Sequence, residues 1–286
     1  MDGGKPSLPL TETTSTPSTR NLMLRIASAA VLAPLAIGAA WLGSWPFTIF
    51  WTIAAVAVWW EWIGLVEPTG RNVLLATGIC ALLLQAIVFE TGNLSIAIMI
   101  VALGVLAGIV TAGKHAPAVA GGLLYASALL MAAAVLRADD KYGFIAILFL
   151  FAVVWGTDIG GYFSGRAFGG PKLAPSISPK KTWSGAIGGT LVGVGAAVAV
   201  AKLFTLSNPL MIGIVAVVLS VASQCGDLFE SGLKRRFDAK DASGLIPGHG
   251  GVMDRLDGFI FAVTVAAVIG VARGGFDGPA AGLLVW

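Results

Sequence analysis

The sequence predicts an all-α, polytopic membrane helical bundle of about nine transmembrane helices, with the N-terminus in the cytoplasm. Three observations carry that expectation. Of the 286 residues, 57% are hydrophobic and 12% charged, about half the charged share of a soluble domain, which is roughly 25%; the mean hydropathy is +0.87. The apolar residues form long continuous runs, unlike the period-two alternation of an outer-membrane barrel. The 38 glycines supply small surfaces on which helices approach closely in lipid. This composition excludes a disordered chain, a coiled coil and an ordinary soluble enzyme.

Residues 1–20, rich in Ser, Thr and Pro, read as a disordered tail. A span needs about 20 mostly apolar residues, and nine stretches qualify: Leu22–Leu42, Phe47–Val66, Val73–Phe89, Leu94–Ala112, Val119–Leu136, Tyr142–Phe163, Trp183–Leu203, Leu210–Gly226 and Leu256–Val271. The first continues through Trp41 and is followed by further spans, so it is not a signal peptide. Gly43-Ser44-Trp45-Pro46 reads as the turn of a helical hairpin. Residues 21–140 read as an N-terminal set of spans, a scaffold or dimerisation unit, and residues 141–286 as a second region, which carries most of the polar chemistry. No polar segment is long enough to fold alone; the longest runs from Asp227 to Arg255.

Charge sets the orientation. With the N-terminus inside, 14 of the 18 Lys and Arg residues fall on the cytoplasmic side, and Arg137, Lys141, Lys202 and Arg273 on the other. The formal net charge is +3. Its cations cluster beside apolar spans, which favours anionic lipid or a phosphorylated substrate over nucleic acid. Cys80 and Cys225 lie within apolar runs, without metal spacing, and read as small buried hydrophobes rather than a disulfide.

Polar chemistry concentrates in the second half. In the first, Glu61 within Trp59-Trp60-Glu61-Trp62 is the exception: an acid near a span is a functional candidate by default, and the alternative, preferred here, puts it at the cytoplasmic end of its span, among headgroups. Further on, acids fall at the ends of three spans: Asp158, then Asp227 with Glu230, then Asp254 with Asp257. The topology puts all three ends on the cytoplasmic side. Carboxylates gathered at one depth repel each other unless cations are present, and Mg²⁺ is typically held by one or two carboxylates plus substrate phosphates. Asp254 and Asp257 share a helix face, and Asp227, Ser231 and Lys234 form a second stripe.

Basic and glycine-rich elements surround these acids. Gly165-Arg166-Ala167-Phe168-Gly169-Gly170 is a flexible loop. Ser178-Pro179-Lys180-Lys181-Thr182 leads into the seventh span, with Ser178 expected as N-cap and Pro179 at the first helical position; such a start suits phosphate binding. The long polar loop holds Lys234-Arg235-Arg236, Lys240-Asp241 and Ile246-Pro247-Gly248-His249-Gly250-Gly251. The glycines let backbone approach a ligand, and His249 is a general acid, a phosphate donor or a residue that holds the loop.

Between Ser231 and Asp257 the order Ser231, Lys234-Arg235, Lys240-Asp241, Ser243, Ile246-Pro247, His249-Gly250-Gly251, Asp254-Arg255, Asp257 resembles the signature of the phosphatidate cytidylyltransferases, the CDP-diacylglycerol synthases. Ser178-Pro179-Lys180-Lys181-Thr182 and Asp158…Gly165-Arg166 resemble that family too. The resemblance covers roughly Trp155 to Gly258.

The resemblance implies transfer of the cytidylyl group of CTP to phosphatidic acid, giving CDP-diacylglycerol and pyrophosphate in phospholipid biosynthesis. It implies Mg²⁺, with K⁺ as a second cation, and a homodimer in a bacterial-type cytoplasmic (inner) membrane with its site facing the cytoplasm. Carried over by motif position, Asp227, Asp254 and Asp257 are the metal-associated acids, joined by Asp158. Lys180, Lys181, Lys234 and Arg235 would clamp the triphosphate, and Arg255 would stabilise the transition state. Arg166, Ser178, Thr182, Ser231, Lys240, Asp241, His249, Gly250 and Gly251 complete the expected substrate contacts. Two alternatives stay open: cytidylyl transfer to another lipid phosphate, and an ion or solute transporter built on intramembrane acids.

Overall fold

The computed structural model describes residues 19–286 apart from Glu67, Lys240 and residues 246–249, with side chains described from Ser28 onward. Ten α-helices follow in order: α1 (Thr19–Leu42), α2 (Ser44–Val66), α3 (Arg71–Glu90), α4 (Leu94–Ala112), α5 (Ala116–Arg137), α6 (Gly143–Phe168), α7 (Trp183–Leu203), α8 (Pro209–Arg236), α9 (Met253–Gly274) and α10 (Pro279–Leu284). Each of the nine expected spans falls within one of α1 to α9, to within a residue. Among the described residues, seven stretches are long and apolar enough to cross a membrane. One of these, Leu94–Arg137, comprises α4, a 3₁₀ turn at Gly113–His115, and α5. The chain is a multi-pass, all-α membrane bundle.

Helix ends gather in two sets, as antiparallel packing requires. At one end, Arg137 at the close of α5 donates through Nε to the Ala40 carbonyl of α1 at 2.5 Å, and Thr48 of α2 donates to Glu90 of α3. There too Asp139 accepts from the Ala281 amide of α10 at 2.9 Å. Asp158, Asp227, Glu230, Asp254 and Asp257 lie at the opposite end. Between them runs an aromatic and aliphatic core in which Trp51 stacks on Phe259 at 4.8 Å and Phe151 packs on Phe259 at 5.5 Å. Large apolar side chains such as Leu103, Leu106 and Val110 stay exposed on the outer surface, where lipid replaces water as the solvent.

α6 and α7 pack almost backbone to backbone. A methyl on Gly189 would lie 2.6 Å from the Thr157 carbonyl, and one on Gly156 would lie 2.9 Å from Gly193 Cα. Lateral hydroxyls then join α6, α7 and α8. Thr157 Oγ1 donates to Ser220 Oγ at 2.8 Å, Ser220 donates to Thr190 at 3.1 Å, and Gln224 donates to Thr190 at 3.0 Å. In hydrocarbon such groups satisfy one another across helices. The network fixes the height of α6 against α8 directly beside Asp158.

Three expectations need correction. Ser178-Pro179 does not open α7. Ser178–Thr182 is a strand, β2, paired antiparallel with β1 (Lys172–Ala174). The N-cap of α7 is Thr182, whose Oγ1 accepts from the Gly185 amide at 3.2 Å. Ser178 at an N-cap and Thr182 at an N-cap are equally good local choices; pairing with Lys172–Ala174 consumes the first. The short C-terminal helix α10 packs against α9 and was not expected. Finally, Cys80 and Cys225 are free but exposed on the outer surface, because an apolar residue in lipid has no need to be interior.

Candidate functional site

α6, α8 and α9 deliver acids to one cavity of about 370 Å³. Asp158 of α6, Asp227, Glu230, Ser231 and Lys234 of α8, and Asp254, Arg255 and Asp257 of α9 line it, with Asp241 from the loop between α8 and α9. A close helix crossing creates the convergence. Gly226 of α8 lies against the Asp257 carbonyl of α9, where a methyl would overlap it, and a methyl on Gly258 would lie 2.5 Å from Ser223 Oγ. With the backbones this near, carboxylate oxygens of Asp227, Glu230 and Asp257 all lie within 4.8 Å of one another.

Six acids line the cavity against Lys234 and Arg255. Lys234 is nearly buried and bridges Glu230 at 3.0 Å and Asp254 at 2.6 Å. Lys181 reaches in from β2 to pair with Asp227, and Ser231 Oγ donates to Asp227 at 3.5 Å. One oxygen of Glu230, Oε1, is buried with no hydrogen-bond partner among the described residues. A buried carboxylate oxygen is costly to leave unsatisfied. Three converging carboxylates, one with an open lone-pair position, and an all-oxygen donor set fit a hard divalent cation.

Asp254 does a second job. Its Oδ2 accepts from the Gly251 amide at 2.7 Å and the Ala242 amide at 3.1 Å, which ties the loop to the start of α9. It lies beside the cluster of Asp227, Glu230 and Asp257, joined to it through Lys234. Asp158 faces the same cavity from α6.

The other expected residues fall in several places. Arg255 and Asp241 are at the rim, both exposed. Arg235 is exposed at the end of α8, away from the cavity wall. Arg166 closes α6, where its Nη1 donates to the Tyr162 hydroxyl at 3.0 Å. Ser178 and Lys180 lie on β2, Lys180 exposed; Lys181 is the hairpin residue that meets the acids. Gly250 adopts φ 87°, a left-handed conformation that favours glycine. Lys240 and His249 lie outside the described residues.

Two residues were given the wrong place or no role. Glu230 was expected among the converging acids but not as one of the metal-associated ones; it stands at i+3 from Asp227 and i−4 from Lys234, a spacing that marks one helix face. Glu61 was expected among headgroups; it is 1% exposed. Its Oε1 accepts from Ser243 Oγ at 2.5 Å and the Val252 amide at 2.8 Å, and its Oε2 accepts from the Met253 amide at 2.6 Å. The first amides of a helix lack intrahelical partners, and α9 has no side-chain cap of its own. Glu61 fills that vacancy from α2, which is why it is drawn inward.

Trp62, Tyr125, Phe229 and Phe261 bring α2, α5, α8 and α9 together in one aromatic cluster with centroid spacings of 5.4 to 6.4 Å.

Fold and site together define a membrane protein whose polar chemistry is carried by acids and lysines at one end of a helical bundle. The chain belongs to the cytidylyltransferase family, whose pattern matches residues 23–272. It is 40% identical over 271 residues to the phosphatidate cytidylyltransferase of Brucella suis biovar 1 (strain 1330), covering 91% of this chain and 97% of that one. It is 43% identical over 131 residues to the phosphatidate cytidylyltransferase of Bacillus subtilis (strain 168), covering 44% of this chain and 47% of that one.

Proposed function

We propose that this chain, a CTP:phosphatidate cytidylyltransferase, performs its transfer in the acidic cavity, with Asp227, Glu230 and Asp257 holding a divalent cation such as Mg²⁺. The observation that carries this reading is the convergence of carboxylates from three helices on one cavity. Both substrates are anionic phosphates, and a wall with six acids repels them. The site works only if the acids are neutralised, and hard cations do this for carboxylate and phosphate oxygens together.

The reaction asks for little proton chemistry. An oxygen of the phosphatidate phosphate, already an anion at neutral pH, bonds to the α-phosphorus of CTP; the bridging bond to the β-phosphate breaks and pyrophosphate leaves. Positioning and charge stabilisation carry the catalysis. A bound divalent cation supplies neutralisation and alignment of the phosphate groups. The chain's own residues do the rest. Asp227, Glu230 and Asp257 fix where positive charge sits. Lys234 at the cavity wall, and Lys181 paired with Asp227, are cations that exchange carboxylate partners for phosphate oxygens. Arg255 at the rim meets the charge that develops on the leaving group. Asp158 is the further carboxylate available to a second, monovalent cation such as K⁺.

The cavity belongs at the cytoplasmic surface of the inner membrane, in accord with the distribution of Lys and Arg. The acyl chains of the lipid remain in the bilayer while its headgroup enters from the side. A homodimer is part of this reading and rests on the family resemblance alone.

The test is product identification. Purified protein in lipid nanodiscs is given CTP labelled at its α-phosphorus with phosphatidate or with a polyprenyl phosphate. Thin-layer separation is expected to show labelled CDP-diacylglycerol from phosphatidate and unlabelled pyrophosphate. Product from the polyprenyl phosphate alone reassigns the acceptor, and solute flux in liposomes without CTP dependence supports a transporter instead.

A further inference from the structure

Glu61 is the one acid of α2, and α2 contributes no residue to the cavity wall. Its carboxylate is nonetheless buried and fully engaged. Among the described residues, the three donors it accepts from, Ser243 Oγ and the amides of Val252 and Met253, belong to the segment that leads from α8 into the start of α9. A carboxylate inside an apolar bundle is expensive unless donors match it. Here the positive end of α9 adds a favourable field to the hydrogen bonds. The contact is tight: a methyl on Gly251 would lie 2.7 Å from Glu61 Oε1, so only backbone fits between the carboxylate and the loop.

The same loop is held from its other side. Asp254 accepts from Ala242 and Gly251, and Ser243 Oγ, while donating to Glu61, accepts from the Leu245 amide at 3.1 Å. The loop is thus clamped between an acid of α2 and an acid of α9. The clamp point is the first residue of α9. Asp254 follows by one residue and Asp257 by one helical turn, so the place where α9 begins sets the height of both acids against Asp227 and Glu230.

We infer that Glu61 is a positioning residue for the transfer reaction: from the N-terminal half of the chain it fixes the start of α9 and with it the Asp254 and Asp257 side of the site. This rests on the reading of the cavity as the transfer site. Glu61 touches no substrate and acts through the backbone of Val252 and Met253.

Glu61→Gln tests it. Glutamine keeps the shape but offers one carbonyl oxygen to three donors. In nanodiscs, Glu61→Gln is expected to lower kcat on the order of 10- to 100-fold, as losing the support behind a site does, while KM for CTP stays close to wild type. Amide exchange at Val252 and Met253 is expected to accelerate, with α3, α4 and α7 unchanged. Glu61→Asp, which keeps both acceptor oxygens, is expected to retain more of kcat than Glu61→Gln. A Glu61→Gln protein with wild-type kcat overturns the inference. So does a loss of kcat accompanied by faster exchange throughout the bundle, or equal loss in Asp and Gln variants, since those outcomes mark a purely structural acid. Failure of the functional reading looks different: it appears as an inactive wild type.

Discussion

At the scale of single residues, the lysines carry a double load. Lys234 is the cation between two buried carboxylates, with side-chain exposures of 14% for itself, 3% for Glu230 and 8% for Asp254. Removing it strands both negative charges. Lys234→Met is expected to destabilise the protein by about 3–5 kcal/mol, the cost of breaking a buried ion pair from one side. A thermal-unfolding midpoint unchanged from wild type would contradict the pairing. The residue types were legible in the sequence because an acid or lysine at a span end has few cheap explanations. The partners were not. Glu61 meets residues 182 and 191 positions away, and no local pattern announces that an acid of α2 will cap α9. Likewise, Lys181 and Lys180 are adjacent and alike, and only the strand geometry decides that Lys181 pairs with Asp227.

At the scale of elements, the existence and order of the helices were legible, since membrane-spanning length and apolar continuity bound each one, but their polar ends were not: α8 runs on to Arg236, ten residues past the apolar stretch that ends at Gly226. What failed was short structure. β1 and β2 have three and five residues, too few for alternation to register, and the Ser-Pro pair imitated a helix start. The glycines are the informative element-level signal. Gly226 and Gly258 let α8 and α9 cross at contact distance, and the gathering of Asp227, Glu230 and Asp257 depends on that crossing. Gly226→Ala places a methyl on the Asp257 carbonyl and must push α9 away. The expected cost is about 1–3 kcal/mol of stability, together with a drop in turnover of about 10²-fold from misplacement on the order of 1 Å. Turnover within a factor of about two of wild type would show that the crossing tolerates displacement.

At the scale of the whole molecule, the two halves do not divide the labour cleanly. The N-terminal helices look like scaffold by composition, yet α2 supplies Glu61 to the start of α9, and Trp62 of α2 and Tyr125 of α5 pack on Phe229 of α8. Topology is the property on which the functional reading leans most. In a chain with Cys80 and Cys225 replaced by alanine, Asp238→Cys after α8 is expected to react with an impermeant maleimide only from the cytoplasmic side. Ser207→Cys before α8 is expected to react only from the opposite side. The reverse pattern would put the cavity out of reach of cytoplasmic CTP.

The central claim is that carboxylates of α8 and α9 jointly hold the cation on which transfer depends, and the Mg²⁺ dependence of turnover in purified protein tests it most directly. EDTA is expected to abolish CDP-diacylglycerol formation and added Mg²⁺ to restore it. Asp257→Asn is expected to lose on the order of 10²-fold or more of the rate, several kcal/mol of barrier, at Mg²⁺ concentrations that saturate the wild type. Undiminished turnover in EDTA, or an Asp257→Asn protein with the wild-type rate and Mg²⁺ dependence, would contradict it.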